Sequence, residues 1–296
     1  MGMARWRRST SGSRRHSYWR SSLWLYEAIK CHMRKCLRHG LFLRYPCPMS
    51  QCQTFTDEQI ALLRTGGSIL RACLHHMATL VEPGRQTAEL DREAEAFIRE
   101  RGGLPGFKGY NGFPATLCTS VNAVCVHGIP DTYALQKGDI IGIDCGVLYE
   151  GFYTDACITV PVGAVSTQAQ ELIAVTQDAL NRVVALVCEG IHVGDISSTV
   201  QKTAESAGFH PVRALTGHGL GTHLHQFPDI PNIGKAGTGP RLPARTIIAV
   251  EPIISAGSDA IVEERDGWTL STKDGSLCAH FEHTILVLPQ GCEVLT

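Results

Sequence analysis

Asp144 and Asp155 stand in apolar, β-branched surroundings, with Ile140-Ile141-Gly142-Ile143 before them and Ala156-Cys157-Ile158-Thr159-Val160 after. Short runs of this kind, bounded by Gly or Pro, read as strands. The turn signal Tyr149-Glu150-Gly151 lies between them, so the simplest fold of the segment is a β-hairpin. With the turn centred between Tyr149 and Glu150, the two aspartates face each other across the ladder. Directly opposed residues have Cβ atoms about 5 Å apart, and like charges there are destabilising. Two acids held so must share a proton or share a cation. The bland alternative is a pair of exposed aspartates on an edge hairpin, and further ligands converging on the same place decide against it.

Three other segments offer such ligands. In Thr216-Gly217-His218-Gly219-Leu220-Gly221-Thr222-His223-Leu224-His225, glycines on both sides of His218 let the backbone come close to a bound group. In Ile247-Ile248-Ala249-Val250-Glu251-Pro252, a glutamate ends an apolar strand and a proline stops it. In Phe281-Glu282-His283-Thr284-Ile285-Leu286-Val287, another glutamate enters one. Four carboxylates and one imidazole make an O₄N donor set. Hard oxygen ligands with a single imidazole favour Mn, Fe or Co over a closed structural zinc site, which would use thiolates. Two such ions about 3.5–4 Å apart can hold a bridging hydroxide and polarise a carbonyl, chemistry that hydrolyses an amide or ester.

The elements that must position these residues repeat. Thr56-Asp57-Glu58-Gln59 is a helix-start signature before Ile60, Leu63, Ile69, Leu70 and Leu74. Pro83-Gly84 breaks the chain, and a second helix runs from Thr87, with Leu90, Ala94, Phe97 and Ile98 on one face and Gly102-Gly103 as its stop. Later, a helix is expected over Thr167–Val187, a break at Gly190, and another helix over Asp195–Gly208. At an offset of 106 residues Gly84 matches Gly190, Leu90 matches Ile196 and Gly102 matches Gly208. The reading is two related α+β halves whose sheets join around a central site.

Composition sets the outer bounds. The 296 residues are 44% hydrophobic and 19% charged, enough for a sizeable core, and no apolar run has the length of a membrane span. The net charge of −1 hides a split: residues 1–50 carry eleven Lys/Arg against Glu27 alone, and the rest carry sixteen against twenty-seven acids. That acidic body gives no electrostatic reason to expect nucleic-acid binding. The twelve cysteines form no Cys-x-x-Cys pair, and Cys145, Cys157 and Cys188 read as free thiols in a reducing compartment. Residues 1–48, rich in Arg and Ser, have three readings: translated sequence upstream of a start at Met49, an organellar targeting peptide, or a functional arm. Cys31, His32, Cys36 and His39 match no common zinc spacing. Residues 49–296 would then form the functional domain.

Asp144, Asp155, His218, Glu251 and Glu282, in that order, resemble the five metal ligands of the methionine aminopeptidases, type I, the bacterial and organellar form. The strings Cys118-Thr119-Ser120-Val121-Asn122, Val126-His127-Gly128-Ile129-Pro130-Asp131, Gly151-Phe152-Tyr153-Thr154-Asp155, Gly217-His218-Gly219-Leu220-Gly221 and Gly267-Trp268-Thr269 match as well. The resemblance covers about Phe55–Thr296. It implies the pita-bread α+β fold of creatinase and the aminopeptidases, with pseudo-symmetric halves around a dimetal site. It implies removal of the initiator methionine from nascent chains with a small second residue, by a hydroxide bridging two divalent ions (Co, Mn, Fe or Zn), and leaves room for a monovalent cation. Asp155 and Glu282 would bridge the ions, Glu251 would also shuttle the proton, His127 would lie near the second substrate residue, and His225 would donate to the scissile carbonyl. Tyr110, Phe113, Cys118, Leu224 and Trp268 would bind the methionine side chain. A monomer is implied, acting on nascent polypeptides, at the ribosome or free of it. It would work in the cytoplasm without membrane or nucleic acid, or in an organelle if residues 1–48 are a transit peptide. Departures fall at Phe107, Asn111, Leu224, Gln226 and His280, where the family more often has Cys, His, Phe, Glu and Gln. The alternatives are an Xaa-Pro peptidase of the same fold and a non-catalytic binding protein on it.

Overall fold

The computed structural model describes residues 51–296; the basic extension, its Cys31, His32, Cys36 and His39, and the boundary at Met49 lie outside them. The first half begins with helix α1 (Asp57–Leu80), opened by a capping box. Thr56 Oγ1 accepts from Gln59 N–H at 3.3 Å and Gln59 Oε1 accepts from Thr56 N–H at 3.0 Å. Helix α2 (Thr87–Glu100) follows, then strands β1 (Leu104–Pro105), β2 (Leu117–Val121), β3 (Val124–Val126), β4 (Ile140–Tyr149) and β5 (Phe152–Pro161). The expected α1 face is buried throughout. On α2, Leu90, Ala94 and Ile98 are buried, whereas Phe97 is only partly so. Phe97 turns to the helix flank, where its ring stacks on His76 and lies under the Arg101 guanidinium.

The second half repeats this order with helices α3 (Thr167–Leu186) and α4 (Val193–Ser206). Strands β6 (His210–Pro211), β7 (Thr216–Gly219), β8 (Gln226–Pro231), β9 (Ile247–Val250), β10 (Ile253–Ser255), β11 (Ile261–Glu263), β12 (Leu270–Thr272), β13 (Cys278–His280), β14 (His283–Val287) and β15 (Cys292–Val294) complete it. The offset of 106 is structural. Helices α2 and α4 correspond end to end, as do β1 and β6. Gly84 and Gly190 both have positive φ, as do Gly102 and Gly208. The caps correspond too: Glu89 accepts from the Gln86 N–H and Asp195 from the His192 N–H, each at 3.1 Å. Helix α4 therefore starts two residues before the expected Asp195, which is its third helical residue and not its first.

All strand pairings are antiparallel. In one sheet β1 and β2 pair with β4 on one side and β5 on the other; a five-stranded sheet runs β15-β14-β9-β7-β8. Helices α1 and α2 pack over β2, β4 and β5, and α3 and α4 over β8, β9 and β14, while Ile60 and Leu63 of α1 also reach β9 and β14 of the other half. The halves are stitched where β5 meets the start of β14. Glu282 N–H donates to Cys157 O at 2.9 Å, Asp155 N–H donates to Thr284 Oγ1 at 2.8 Å, and that hydroxyl donates to Asp155 O at 2.7 Å.

The expected hairpin exists, with its register shifted. Tyr149 pairs with Phe152 around a two-residue turn, Glu150-Gly151, and both turn residues have positive φ (47° and 85°). Such turns match the twist of the flanking strands. Asp144 therefore lies opposite Cys157, and Asp155 opposite Gly146. The aspartates are diagonal neighbours on one face, close enough for their side chains to bond, and do not stand directly opposite.

The C-terminal segment closes against α1. A Cβ on Gly67 would sit 2.4 Å from Leu295 O, a backbone atom that cannot swing aside. Gly67→Ala is expected to cost about 1–3 kcal/mol, a fall in Tm of roughly 2–4 °C per kcal/mol for a chain of this size. Ser68→Ala, on the exposed side of the same helix, should leave the thermal melt within about 0.5 kcal/mol of wild type. Equal melts for the two variants would show that the close approach is not tight.

Candidate metal centre and cleft

Position 144 is carried on β4 and 155 on β5, at the seam just described. The glutamates arrive through a second ladder. Val250 pairs with His283 in β9–β14, and Ile253 pairs with His280 in β10–β13. The two segments keep one register across the gap, which sets Glu251 opposite Glu282. Pro252 follows Glu251 and supplies no N–H, so the ladder is interrupted at the pair that would repel.

His218 enters from β7, paired with Ala249 of β9. Its glycine neighbours act differently from the sequence reading. A Cβ on Gly217 would lie 2.4 Å from Ala249 O, and one on Gly219 would lie 2.3 Å from Phe227 O. They allow close approach of β7 to its neighbouring strands. His218 Nδ1 lies 3.0 Å from the Gly219 carbonyl. A donor there fixes the tautomer and leaves the Nε2 lone pair free.

The five side chains form one continuous cluster. Asp155, His218 and Glu282 each present a ligand atom, all within 4.8 Å of one another. Glu251 Oε1 is 3.6 Å from His218 Nε2. Asp144 joins through a hydrogen bond with Asp155 and accepts another from Cys118, its register partner on β2. One further side chain belongs here. His280, two residues before Glu282, is buried, with Nε2 3.8 Å from both Glu251 Oε2 and Glu282 Oε2. The sequence contained its signal, since residues two apart on a strand share a face.

The electrostatics are those of unbalanced acids. Burial lifts Asp144 to about 7, against hydrogen bonds from Asp155, the Cys145 N–H and Cys118. Burial first, then the charges of Glu282 and Asp144, raise Asp155 well above the carboxylate range. Glu251 is raised by burial and by Asp155 and Asp144, and Glu282 by burial and by Glu251 and Asp144. The imidazoles go the other way: burial lowers His218 and His127 to about 4 and His280 to about 3. Among the described residues no Lys or Arg pairs with these acids. Asp144 Oδ1, Asp155 Oδ1, Glu282 Oε1 and His280 Nε2 are buried without a hydrogen-bond partner. Buried acceptors of this kind cost free energy unless a cation satisfies them. The donor set thus fits divalent ions.

Beside the acids lies an apolar cluster. Phe107, Phe113, Ala115, Cys118 and Leu224 are buried together, with Tyr110, Ile129, Tyr153 and Trp268 packed against them. All five residues expected in a side-chain pocket are here. Phe107, noted only as a departure, joins them, as do Ala115, Ile129 and Tyr153, which the sequence reading missed. The Phe113 and Trp268 rings meet edge to face at 5.2 Å. His225 bridges this cluster and the acids, its Nδ1 3.1 Å from Tyr110 Oη and its ring edge-on to His218 at 4.4 Å. One edge of His225 stays open to solvent, yet burial of the rest and the His218 and His127 rings keep its pKa well below the usual range. His127 sits at φ 59°, a strained backbone for a residue with a side chain.

The sequence model of metallopeptidase family M24 matches residues 61–289. The methionine aminopeptidase of Clostridium perfringens is 43% identical over 240 residues, covering 81% of this chain and 96% of that protein. Methionine aminopeptidase 1 of Bacillus subtilis is 40% identical over 241 residues, covering 81% and 97%. Among solved structures, the methionine aminopeptidase from Thermotoga maritima superposes with a TM-score of 0.82 at 37% identity, covering 83% of this chain and 99% of that one. Prolidase from Pyrococcus furiosus gives 0.65 at 19% identity over 82% of this chain and 65% of its own, a likeness of fold alone. The fold is the pita-bread fold these proteins share.

Without metal, stability should fall as pH rises past neutrality. The raised carboxylates contribute stability in full below their unfolded pKa values and lose it as pH climbs through their folded ones, from 3.8 to about 7 for Asp144. The lowered imidazoles oppose this between about 4 and 6.5, where only the unfolded chain binds their protons. Above 6.5 they are neutral in both states and the carboxylate loss is unopposed. Chelator-treated protein should therefore melt several degrees lower at pH 8 than at pH 6.5. Added Mn(II) should raise Tm more at pH 8, because the ligands must be deprotonated to bind. A flat or rising Tm in chelator over that interval would contradict the assignment.

Proposed function

The chain belongs to metallopeptidase family M24, and from that membership we propose its reaction: hydrolytic removal of the N-terminal methionine from polypeptides whose second residue is small. The observation that carries the reading is the adjacency of a buried, cation-deficient acid cluster to a cluster of apolar and aromatic side chains. Cys118 links the two, packing in the apolar cluster and donating to Asp144.

Asp144, Asp155, His218, Glu251 and Glu282 would hold two divalent ions, which supply a low-pKa water and polarise the scissile carbonyl. The chain's residues do the rest. Glu251 takes the proton of the attacking water and returns it to the leaving amine, a role open to a carboxylate at the centre of the acid cluster. His225, neutral and held by Tyr110, donates to the oxygen on which negative charge develops. His127, also neutral, faces the second residue of the substrate. The apolar cluster would seat a flexible thioether among aromatic rings and a thiol, contacts that favour sulfur. Co, Mn, Fe and Zn all suit the donor set, with a monovalent cation as a further, structural ion.

The partners on this reading are nascent polypeptide N-termini, at the ribosome or just released from it. We place the monomer in the cytoplasm, or in an organelle if residues 1–48 are a transit peptide. No helix among the described residues is long and apolar enough to cross a membrane. Residues 49–296 are proposed as the functional domain, and the bonds from Thr222 and Gln226 to Gln53 support a boundary ahead of residue 53.

Protein starting at Met49, supplied with metal, should release methionine from Met-Ala-Ser and not from Met-Leu-Ser. Cleavage of Xaa-Pro peptides in place of Met-Ala-Ser would overturn the reading. Glu251→Gln should lower kcat by about 10²–10⁴ and His225→Ala by about 10²–10³, with KM changed far less. A His225→Ala effect confined to KM would remove His225 from the chemical step.

A further inference from the structure

His280 is outside the five residues proposed as ligands, yet its ring points at them. Its Nε2 lies 3.8 Å from one oxygen of Glu251 and 3.8 Å from one oxygen of Glu282, and it is buried with no hydrogen-bond partner among the described residues. The other oxygen of Glu251 faces His218 Nε2 at 3.6 Å, so an imidazole nitrogen stands at each end of that carboxylate. Neither separation is a hydrogen bond. Both suit donors around a common ion: atoms each about 2.1 Å from one ion lie no more than about 4.2 Å apart.

The residue is held there by its backbone. Thr159 Oγ1 accepts from His280 N–H at 2.9 Å and donates to His280 O at 2.7 Å, and Cys157 Sγ donates to the same carbonyl at 3.5 Å. These bonds tie position 280 to β5, the strand that carries Asp155, and β13 pairing ties it to β10 just beyond Glu251. A histidine serving only to fill space would bring its ring nitrogen to a donor or acceptor. This nitrogen instead ends between Glu251 Oε2 and Glu282 Oε2, in a cluster whose Asp144 Oδ1, Asp155 Oδ1 and Glu282 Oε1 also lack hydrogen-bond partners.

We propose that His280 is a sixth protein donor of the centre, its Nε2 ligating the ion that Glu251 and Glu282 hold. This rests on the dimetal reading above and deepens it. The set becomes O₄N₂, and a second imidazole shifts preference away from Mn(II) toward Fe(II), Co(II) and Zn(II).

The test is the metal itself, with no turnover required. Chelator-stripped wild type is loaded with one equivalent of Mn(II), and pulsed EPR with ¹⁵N-labelled histidine counts the coordinated imidazoles. Two are expected in wild type and one in His280→Gln. Calorimetric titration of the same pair should show Zn(II) or Co(II) affinity falling at least about tenfold in the variant and Mn(II) affinity falling less. One coordinated imidazole in wild type would overturn the proposal while leaving the five-ligand site intact, and needs no variant that folds. Wild type that binds no divalent ion would overturn both readings.

Discussion

Four carboxylates meet at the seam between the two halves of the sheet, without a single Lys or Arg among the described residues to balance them. Burying one unpaired carboxylate is costly, and burying four within reach of one another is sustainable only if protons or cations enter with them. The surrounding structure holds the acids together despite this. The β5–β14 stitch through Thr284 fixes Asp155 from its backbone, and the single register across β9–β10 and β13–β14 sets the glutamates face to face. Interactions made by backbone groups persist whichever protonation state the side chains adopt. The scaffold can therefore keep a repulsive cluster in place ahead of any ion.

The internal repeat explains how such a seam arises. Each half supplies an antiparallel ladder under its own helix pair, and each ladder brings two acids to its inner end, Asp144 with Asp155 and Glu251 with Glu282. The halves are not copies in detail. In the first the acids are diagonal on an unbroken hairpin; in the second they are opposed and the ladder is interrupted at Pro252. Diagonal placement brings the Asp144 and Asp155 side chains within reach of a shared proton or cation. Direct opposition sets like charges against each other, and there the strand breaks.

Much of this was legible in the sequence, and the remainder was hidden for identifiable reasons. The capping box at Thr56, the glycines of the 106-residue repeat and the order of the five acids and histidine are local signals, readable because caps, breaks and strand ends depend on neighbouring residues. The hairpin register was misjudged because the turn places Glu150 at positive φ, a conformation that composition does not announce for glutamate. The glycines flanking His218 were assigned to a ligand, whereas the atoms they accommodate are Ala249 O and Phe227 O, distant in the chain. His280 was noted as a departure and given no role, because its meaning depends on how β13 registers with β10.

The apolar cluster is organised by the same seam. Cys118 pairs with Asp144 across β2 and β4, so one side chain ends the apolar cluster and begins the acid cluster. Tyr153 lies on the strand of Asp155, two residues away and hence on the same face. Leu224 and His225 come from the loop after β7, which carries His218. That loop is held from outside the repeat: Gln226 donates to Gln53 Oε1 at 2.6 Å, Thr222 donates to the same oxygen at 3.0 Å, and the Gly221 backbone is close enough to the Phe55 ring that a Cβ there would sit 2.2 Å from it. The residues just before α1 thus brace the loop bearing Leu224 and His225. Pocket, proposed oxyanion donor and metal cluster therefore depend on one set of strand pairings, and a shift in that register would move all three together.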